Sequence, residues 1–260
     1  MNPMKLVHKY VNQQPRLRRM LTRLIYGKRD VDVMLFTRRV RINSELENGY
    51  YRASRLARTS STLNHETMVL QRLALFYRDN MTLVDIGANI GLFSICAADI
   101  RNLYPNFRVV AFEVNPDTFA RLQVNAAAYG FEAIQCPLAS DERDIEFVSG
   151  AVSGVTTTAD KVNAYNIAST RFQSRTRRLD SFDLPGDLFL KVDVEGQELD
   201  VLQGASRFFE EGRVKAVFID GFDRDAAVPD FLRQHGFTLV DPDSLKPYQR
   251  RHWTLIAFRD

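Results

Sequence analysis

Val84-Asp85-Ile86-Gly87-Ala88-Asn89-Ile90-Gly91 decides the fold. Residues 82–86 read as a buried strand, and apolar residues at helical spacing follow over 90–103. Strand, sharp turn and helix form the unit from which parallel sheets are wound. Gly87 lets the chain turn off the strand, and Gly91 is expected to let the helix pack close to a ligand. A dinucleotide loop would read G-x-G-x-x-G, its middle glycine admitting a pyrophosphate. Asn89 takes that middle place here, and Asp85 stands two residues before the first glycine. A carboxylate there suits a ligand carrying an ammonium group. Gly87, Ala88, Asn89 and Gly91 are therefore candidate ligand-loop residues.

Outward from this unit the alternation continues. Strand 108–114 leads to helix 116–129, strand 188–194 to helix 197–209, and strand 214–220 to helix 225–235. Between them lie strand 131–137 and a small strand at 144–148. Strands 237–240 and 253–258 close the chain with no helix between them. This pattern predicts a parallel sheet covered on both faces, with an antiparallel hairpin at its edge. Residues 150–180 are rich in Ser, Thr, Asn and Arg and long for a connection, so they are a candidate lid. Upstream, residues 64–79 read as an amphipathic helix. Segments 31–36 and 40–42 read as short strands, and 15–26 as a further helix. The reading divides the chain into a basic appendage, 1–63, and a main α/β domain, 64–260.

At 260 residues and 45% hydrophobic content the chain has material for one sizeable core. Its 18 Phe and 9 Tyr exclude a disordered polymer. No apolar run reaches the length of a membrane span, and the N-terminus shows no secretory h-region. The two cysteines, Cys96 and Cys136, sit in core-like contexts, so a reduced, cytoplasmic protein is expected.

Glu113 closes the second strand of the domain, where an acid can accept two hydrogen bonds from a ribose diol. Asn115 beside it reads first as the cap of the helix that Pro116 begins, and second as a ligand contact. Ala139 and Ser140, at the end of the next strand, could flank a flat base, with Ser140 or Asp141 meeting its amino group. Lys191, Asp193 and Glu195 alternate along one strand near its carboxyl end, where open α/β sheets bind ligands. Lys191 in an apolar strand requires a partner, and Asp193 or Glu195 could supply it. His65 and His252 have no legible context. His235 fits a helix C-terminus.

The sequence of motifs D-I-G-A-N-I-G, F-E-V-N-P and L-K-V-D-V-E-G-Q-E-L-D-V-L-Q-G-A resembles the FkbM family of S-adenosylmethionine-dependent methyltransferases. The resemblance covers about residues 80–240. It implies a seven-stranded class I methyltransferase fold with an antiparallel final strand, and methyl transfer to oxygen, usually of a sugar or polyketide. It implies that Asp85 meets the amino-acid end of the cofactor, directly or through water, and that Glu113 holds the ribose. Asp193 is then the first choice for the base or acceptor orienter and Glu195 the second, with Lys191 holding the carboxylates. The Asp193/Asp220 pair resembles the metal site of catechol O-methyltransferases but lacks a third ligand, so no metal is assigned. The acceptor is expected to be a small-molecule or glycan hydroxyl, which Thr156, Thr157, Thr158, Asn163 and Asn166 suit. A non-catalytic binding module and a nicotinamide-dependent reductase remain as rival readings.

Charge divides the chain unevenly. Residues 1–60 hold 14 Lys and Arg against four acids, net +10, and the rest is net −7. A basic front suggests an anionic partner or a cap docked on an acidic body. The helix over 15–26 is expected to dock as a cap, with peripheral membrane contact as the alternative. Nucleic acid ranks last, since the body is acidic and shows no recognisable binding module.

Overall fold

Described in chain order, the first elements are a hairpin, β1 (Asp30–Leu35) and β2 (Arg38–Asn43), and helices α1 (Asn48–Arg55) and α2 (Ser61–Leu73). There follow β3 (Met81–Ile86), α3 (Leu92–Ala98), β4 (Arg108–Phe112), α4 (Pro116–Tyr129) and β5 (Glu132–Ile134). Next come β6 (Asp144–Ser149), β7 (Thr156–Thr158), β8 (Thr170–Arg175), β9 (Asp187–Val192), α5 (Glu198–Gln203) and α6 (Ser206–Glu210). The chain closes with β10 (Val214–Asp220), α7 (Val228–Gln234), β11 (Thr238–Val240) and β12 (Thr254–Phe258). This computed structural model describes residues 20, 23–24, 27–55, 61–149, 156–159, 170–221, 227–249 and 254–259. Most of the helix expected over 15–26 lies outside the described residues, as do Asn163, Asn166, His252 and Trp253.

The central sheet has seven strands in the order β11-β12-β10-β9-β3-β4-β5. β3, β4, β5, β9 and β10 run parallel, while β12 runs antiparallel to both β10 and β11. This is the class I methyltransferase arrangement, with the final strand inserted between its two predecessors. Strand order reverses at β3, which pairs with β4 on one side and β9 on the other. The helices that follow β3 and β9 therefore pack on opposite faces of the sheet, which makes the carboxyl ends of these strands the edge where open α/β sheets take ligands.

Period-two alternation sends strand side chains into two layers. Val84, Ile86, Leu190, Val192, Val217 and Ile219 pack with Val201 and Leu202 of α5, Phe208 of α6 and Leu232 of α7. Leu83, Phe189 and Phe218 point to the opposite layer, against Val69 and Leu73 of α2 and Phe93 and Ala97 of α3. Asp85, Lys191 and Asp220 are two residues along from this second set, so strand periodicity places them on the α2/α3 side.

Three local expectations change. The strand expected over 188–194 ends at Val192, so alternation does not carry through to Glu195. The helix expected over 197–209 divides into α5 and α6 around Gly204, where a side chain would strike the carbonyl of Ala139. The described parts of 150–180 are not an irregular lid. Thr156–Thr158 and Thr170–Arg175 flank β6 in a three-stranded antiparallel sheet.

The β1/β2 hairpin docks on α3 and α4. Val33, Leu35, Val40 and Ile42 share a cluster with Ile90, Leu92 and Ile95. Asn125 Nδ2 donates to the carbonyls of Arg41 and Ile90, and its Oδ1 accepts from the Arg41 amide at 2.8 Å. A buried ion pair, Arg121 to Glu47 at 2.7 Å, completes the junction. Removing one member of such a pair strands the other charge. Glu47→Ala should lower unfolding stability by about 3–5 kcal/mol in denaturant titrations. A loss within about 0.5 kcal/mol, the range of an ordinary surface change, would show that the hairpin is not held in this way.

Candidate active site

The turn after β3 is built on a close backbone approach. Gly87 has φ +73°, and a Cβ there would collide with the carbonyl oxygen of Asp193. The amides of Gly87 and Ala88 both donate to Phe112 O, at 3.0 and 2.9 Å, and Asp193 N donates to Ile86 O at 3.0 Å. The three loops above β3, β4 and β9 are thus locked together by main chain. Gly91 allows close packing: a Cβ there would meet Leu122 and Phe131. Ala88 is buried with Ala111 and Leu122 beneath the loop.

A cavity lies on the α5 side of this edge. Its wall includes Gly87, Asn89, Glu113, Ala139, Asp193 and Glu195, with Phe112, Cys136, Leu138 and Phe147 giving an apolar flank. Thr156, Thr157 and Thr158 of β7 also line it. Thr157 Oγ1 donates to the carbonyl of Glu195 at 3.1 Å, tying the small sheet to the β9 loop.

Glu113 is buried, and its carboxylate cross-links two loops. Oε2 accepts from Asn89 N at 2.9 Å and Oε1 from Asn115 N at 2.8 Å. Burial pushes its pKa up to about 7, despite these backbone donors. A carboxylate offers about four lone-pair sites, so Glu113 keeps acceptor capacity for a hydroxyl entering the cavity. Asn115 itself is the cap of α4, its Oδ1 accepting from Asp117 N and Thr118 N.

Lys191 is 1% exposed and Asp85 is fully buried. The two are direct register partners across β9 and β3. Lys191 Nζ stands 3.2 Å from Asp85 Oδ1 and 3.4 Å from Asp193 Oδ2, above the ring of Phe93. Burial works against this ammonium, but Asp85 and Asp193 outweigh it and hold its pKa above the usual value. Asp85 Oδ2 accepts from Ser94 Oγ at 2.7 Å. Lys191 and Ser94 are thus the side chains that hold Asp85 in the core. Asp193 is half-buried at the cavity wall, its pKa raised by burial against the pull of Lys191. Glu195 is exposed at the mouth, and the ion contacts of Lys191 go to the two aspartates instead.

Ser140 and Asp141 follow Ala139 but are not themselves among the residues that line the cavity. The Ser140 amide donates to Asp200 Oδ1 at 3.1 Å, and Asp141 pairs with Arg143. Asp200, which sequence reasoning passed over, lines the cavity and also accepts from Arg143. Its position in the first turn of α5, one turn beyond E-G-Q, was the available signal. His65 was also missed: it leaves α2 to meet Asp220 at 3.0 Å. His235 ends α7 and hydrogen-bonds Phe231 O. Among the described residues no group of three or more His, Cys, Asp or Glu is placed to hold a metal ion.

Lys191 and Asp85 should be coupled in stability. Lys191→Met strands a buried carboxylate and should cost about 3–5 kcal/mol, whereas Asp85→Asn with Lys191→Met should recover at least half of that loss. Chemical denaturation of the two single variants and the double variant measures this. Additive losses would mean that the two charges do not depend on each other.

The sequence is similar to those of known methyltransferases. The model of the methyltransferase FkbM domain matches residues 85–239. Methyltransferase 1 of Beauveria bassiana is 30% identical over 210 residues, spanning 71% of this chain and 83% of that protein. The hexuronic acid methyltransferase AglP of Haloferax volcanii is 31% identical over 144 residues, spanning 55% of this chain and 57% of that protein. A crystal structure of methyltransferase FkbM from Methylobacillus flagellatus shares 18% identity and superposes with a TM-score of 0.48. That superposition covers 72% of this chain and 46% of the solved one. The matched region takes in the Gly87 loop, Glu113 and the Lys191–Asp193 edge, and the chain belongs to the FkbM methyltransferase family.

Proposed function

We propose that the protein is an S-adenosylmethionine-dependent O-methyltransferase acting on a hydroxyl of a sugar or related small metabolite. The observation that carries this reading is Glu113, whose carboxylate is fixed by two backbone donors at the wall of a cavity flanked by apolar residues. Its remaining acceptor capacity suits the hydroxyls of a ribose. The slot between Phe112, Leu138 and Ala139 suits a flat base. Gly87 lets the turn after β3 press against the Asp193 carbonyl, a close approach that any side chain would block and that fixes this wall of the cavity.

Bound there, the cofactor supplies a methyl group on an electron-poor sulfonium. The protein then has to align an acceptor oxygen and accept its proton. Asp193 is positioned for the first task. Its carboxylate is at the wall, anchored by a buried ammonium, and can accept a hydrogen bond from a hydroxyl. Glu195, at the exposed mouth, is a second orienter. The name of the Haloferax relative, a hexuronic acid methyltransferase, supports a sugar-type acceptor. The threonines of β7 supply hydroxyls on the same wall.

Calorimetry with S-adenosylmethionine tests the assignment. The ribose hydroxyls need the ionised form of Glu113, whose pKa lies at about 7 before binding. Binding should therefore release a proton, and affinity should rise with pH and level off above about 7. Glu113→Gln should weaken binding about 10–100-fold, the worth of charged hydrogen bonds, and flatten the pH dependence. No binding by the wild type, or pH-independent binding unaffected by Glu113→Gln, would sink the reading.

A further inference from the structure

The α2 side of the sheet edge carries polar groups that the cofactor cavity does not use. His65 Nε2 lies 3.0 Å from Asp220 Oδ2, and its side chain is 45% exposed. Next to it on α2, Glu66 is buried and accepts from Tyr50 Oη at 2.8 Å. Its other oxygen, Oε2, is buried with no hydrogen-bond partner among the described residues. A buried, half-satisfied carboxylate is costly unless a ligand, a water or a proton meets it. Burial drives the Glu66 pKa up to about 7.

Asp193, on the cavity wall, is the link between these groups and the cavity. Ile219 of β10 pairs in register with Val192 of β9, so Asp220 follows at the carboxyl end of the strand beside Asp193. Adjacent strands lie about 4.8 Å apart. Asp193 thus has the cofactor cavity on one side and the His65–Asp220 pair on the other. An acceptor entering between α2 and the β9 loop would meet both.

We propose that His65, oriented by Asp220, is the base that takes the acceptor's hydroxyl proton, and that Glu66 forms the polar floor of the acceptor site. The proposal rests on the O-methyltransferase reading above. With Nε2–H donated to the Asp220 carboxylate, Nδ1 carries the ring's free lone pair. The hydroxyl proton passes to Nδ1 as the acceptor oxygen bonds to the methyl carbon. The electron pair of the broken carbon–sulfur bond stays on sulfur. Asp193, tied to Lys191, orients the hydroxyl and keeps its own charge state.

The groups facing His65 are Asp220 from β10, Glu66 on its own helix and Asp243 from the loop after β11, with Lys191 and Asp193 behind Glu66. The Asp220 hydrogen bond raises the imidazole pKa above 6.5, against burial, with help from the other acids. The neutral, base-competent form then gains population as pH rises through a value above 6.5.

Two readouts test this. In the first, NMR titration of the His65 ring in the ligand-free protein should give a pKa above 6.5 that falls in Asp220→Asn. A His65 pKa at or below 6.5 and indifferent to Asp220 would overturn the proposal. In the second, labelled S-adenosylmethionine is offered with a pooled extract of polar metabolites and glycans. His65→Gln should lose about 10²–10⁴-fold in turnover and lose the rising limb of the pH profile. Its binding of S-adenosylhomocysteine by calorimetry should match the wild type. Turnover of His65→Gln within threefold of wild type would overturn the base role. Failure of the wild type itself to bind S-adenosylhomocysteine would instead strike the reading on which the proposal rests.

Discussion

The Lys191 ammonium, buried between Asp85 and Asp193, is the constraint on which this sheet edge depends. A charge in that position is tolerated only while its partners remain, because each ion left alone in the core costs several kcal/mol. The register that makes Asp85 and Lys191 neighbours is therefore fixed by charge as well as by the apolar pairs below them. The same ammonium reaches out of the core to Asp193, where β9 ends and the chain turns over Gly87. A structural ion pair and a half-exposed carboxylate at the cavity wall thus belong to one network.

The edge has two sides with different chemistry. On the α5 side, backbone does most of the work: amides of the Gly87 loop and of Asn89 and Asn115 are spent on Phe112 and Glu113, leaving a rigid slot. On the α2 side, titratable side chains gather with less backbone support: His65, Glu66, Asp220 and Tyr50. A cofactor that must be held in one pose suits the first side, and proton transfer suits the second. Asp193 stands between them.

The parallel sheet, the Gly87 turn, the capping role of Asn115 and the place of Glu113 were legible in the sequence because each is a local pattern: alternation, a glycine after a strand, Asn-Pro before a helix. What escaped was set by contacts between distant residues. His65 and Asp220 are 155 positions apart, and nothing around His65 marks it. The partner of Lys191 was sought within its own strand, whereas the closer acid lies across the sheet on β3. The contacts of the Ser140 amide with Asp200 and of Asp141 with Arg143 are set by the fold, and no local pattern announces them. The Ser/Thr-rich stretch read as a lid because short strands such as Thr156–Thr158 declare themselves only by pairing with a neighbour.

The most direct test of the central claim is a crystal structure of the protein with S-adenosylhomocysteine. The account predicts both ribose hydroxyls on the Glu113 carboxylate, the adenine beside Leu138 and Ala139, and the sulfur directed to the Asp193 edge between the two sides. A ligand bound elsewhere, or one whose ribose leaves Glu113 untouched, would contradict it.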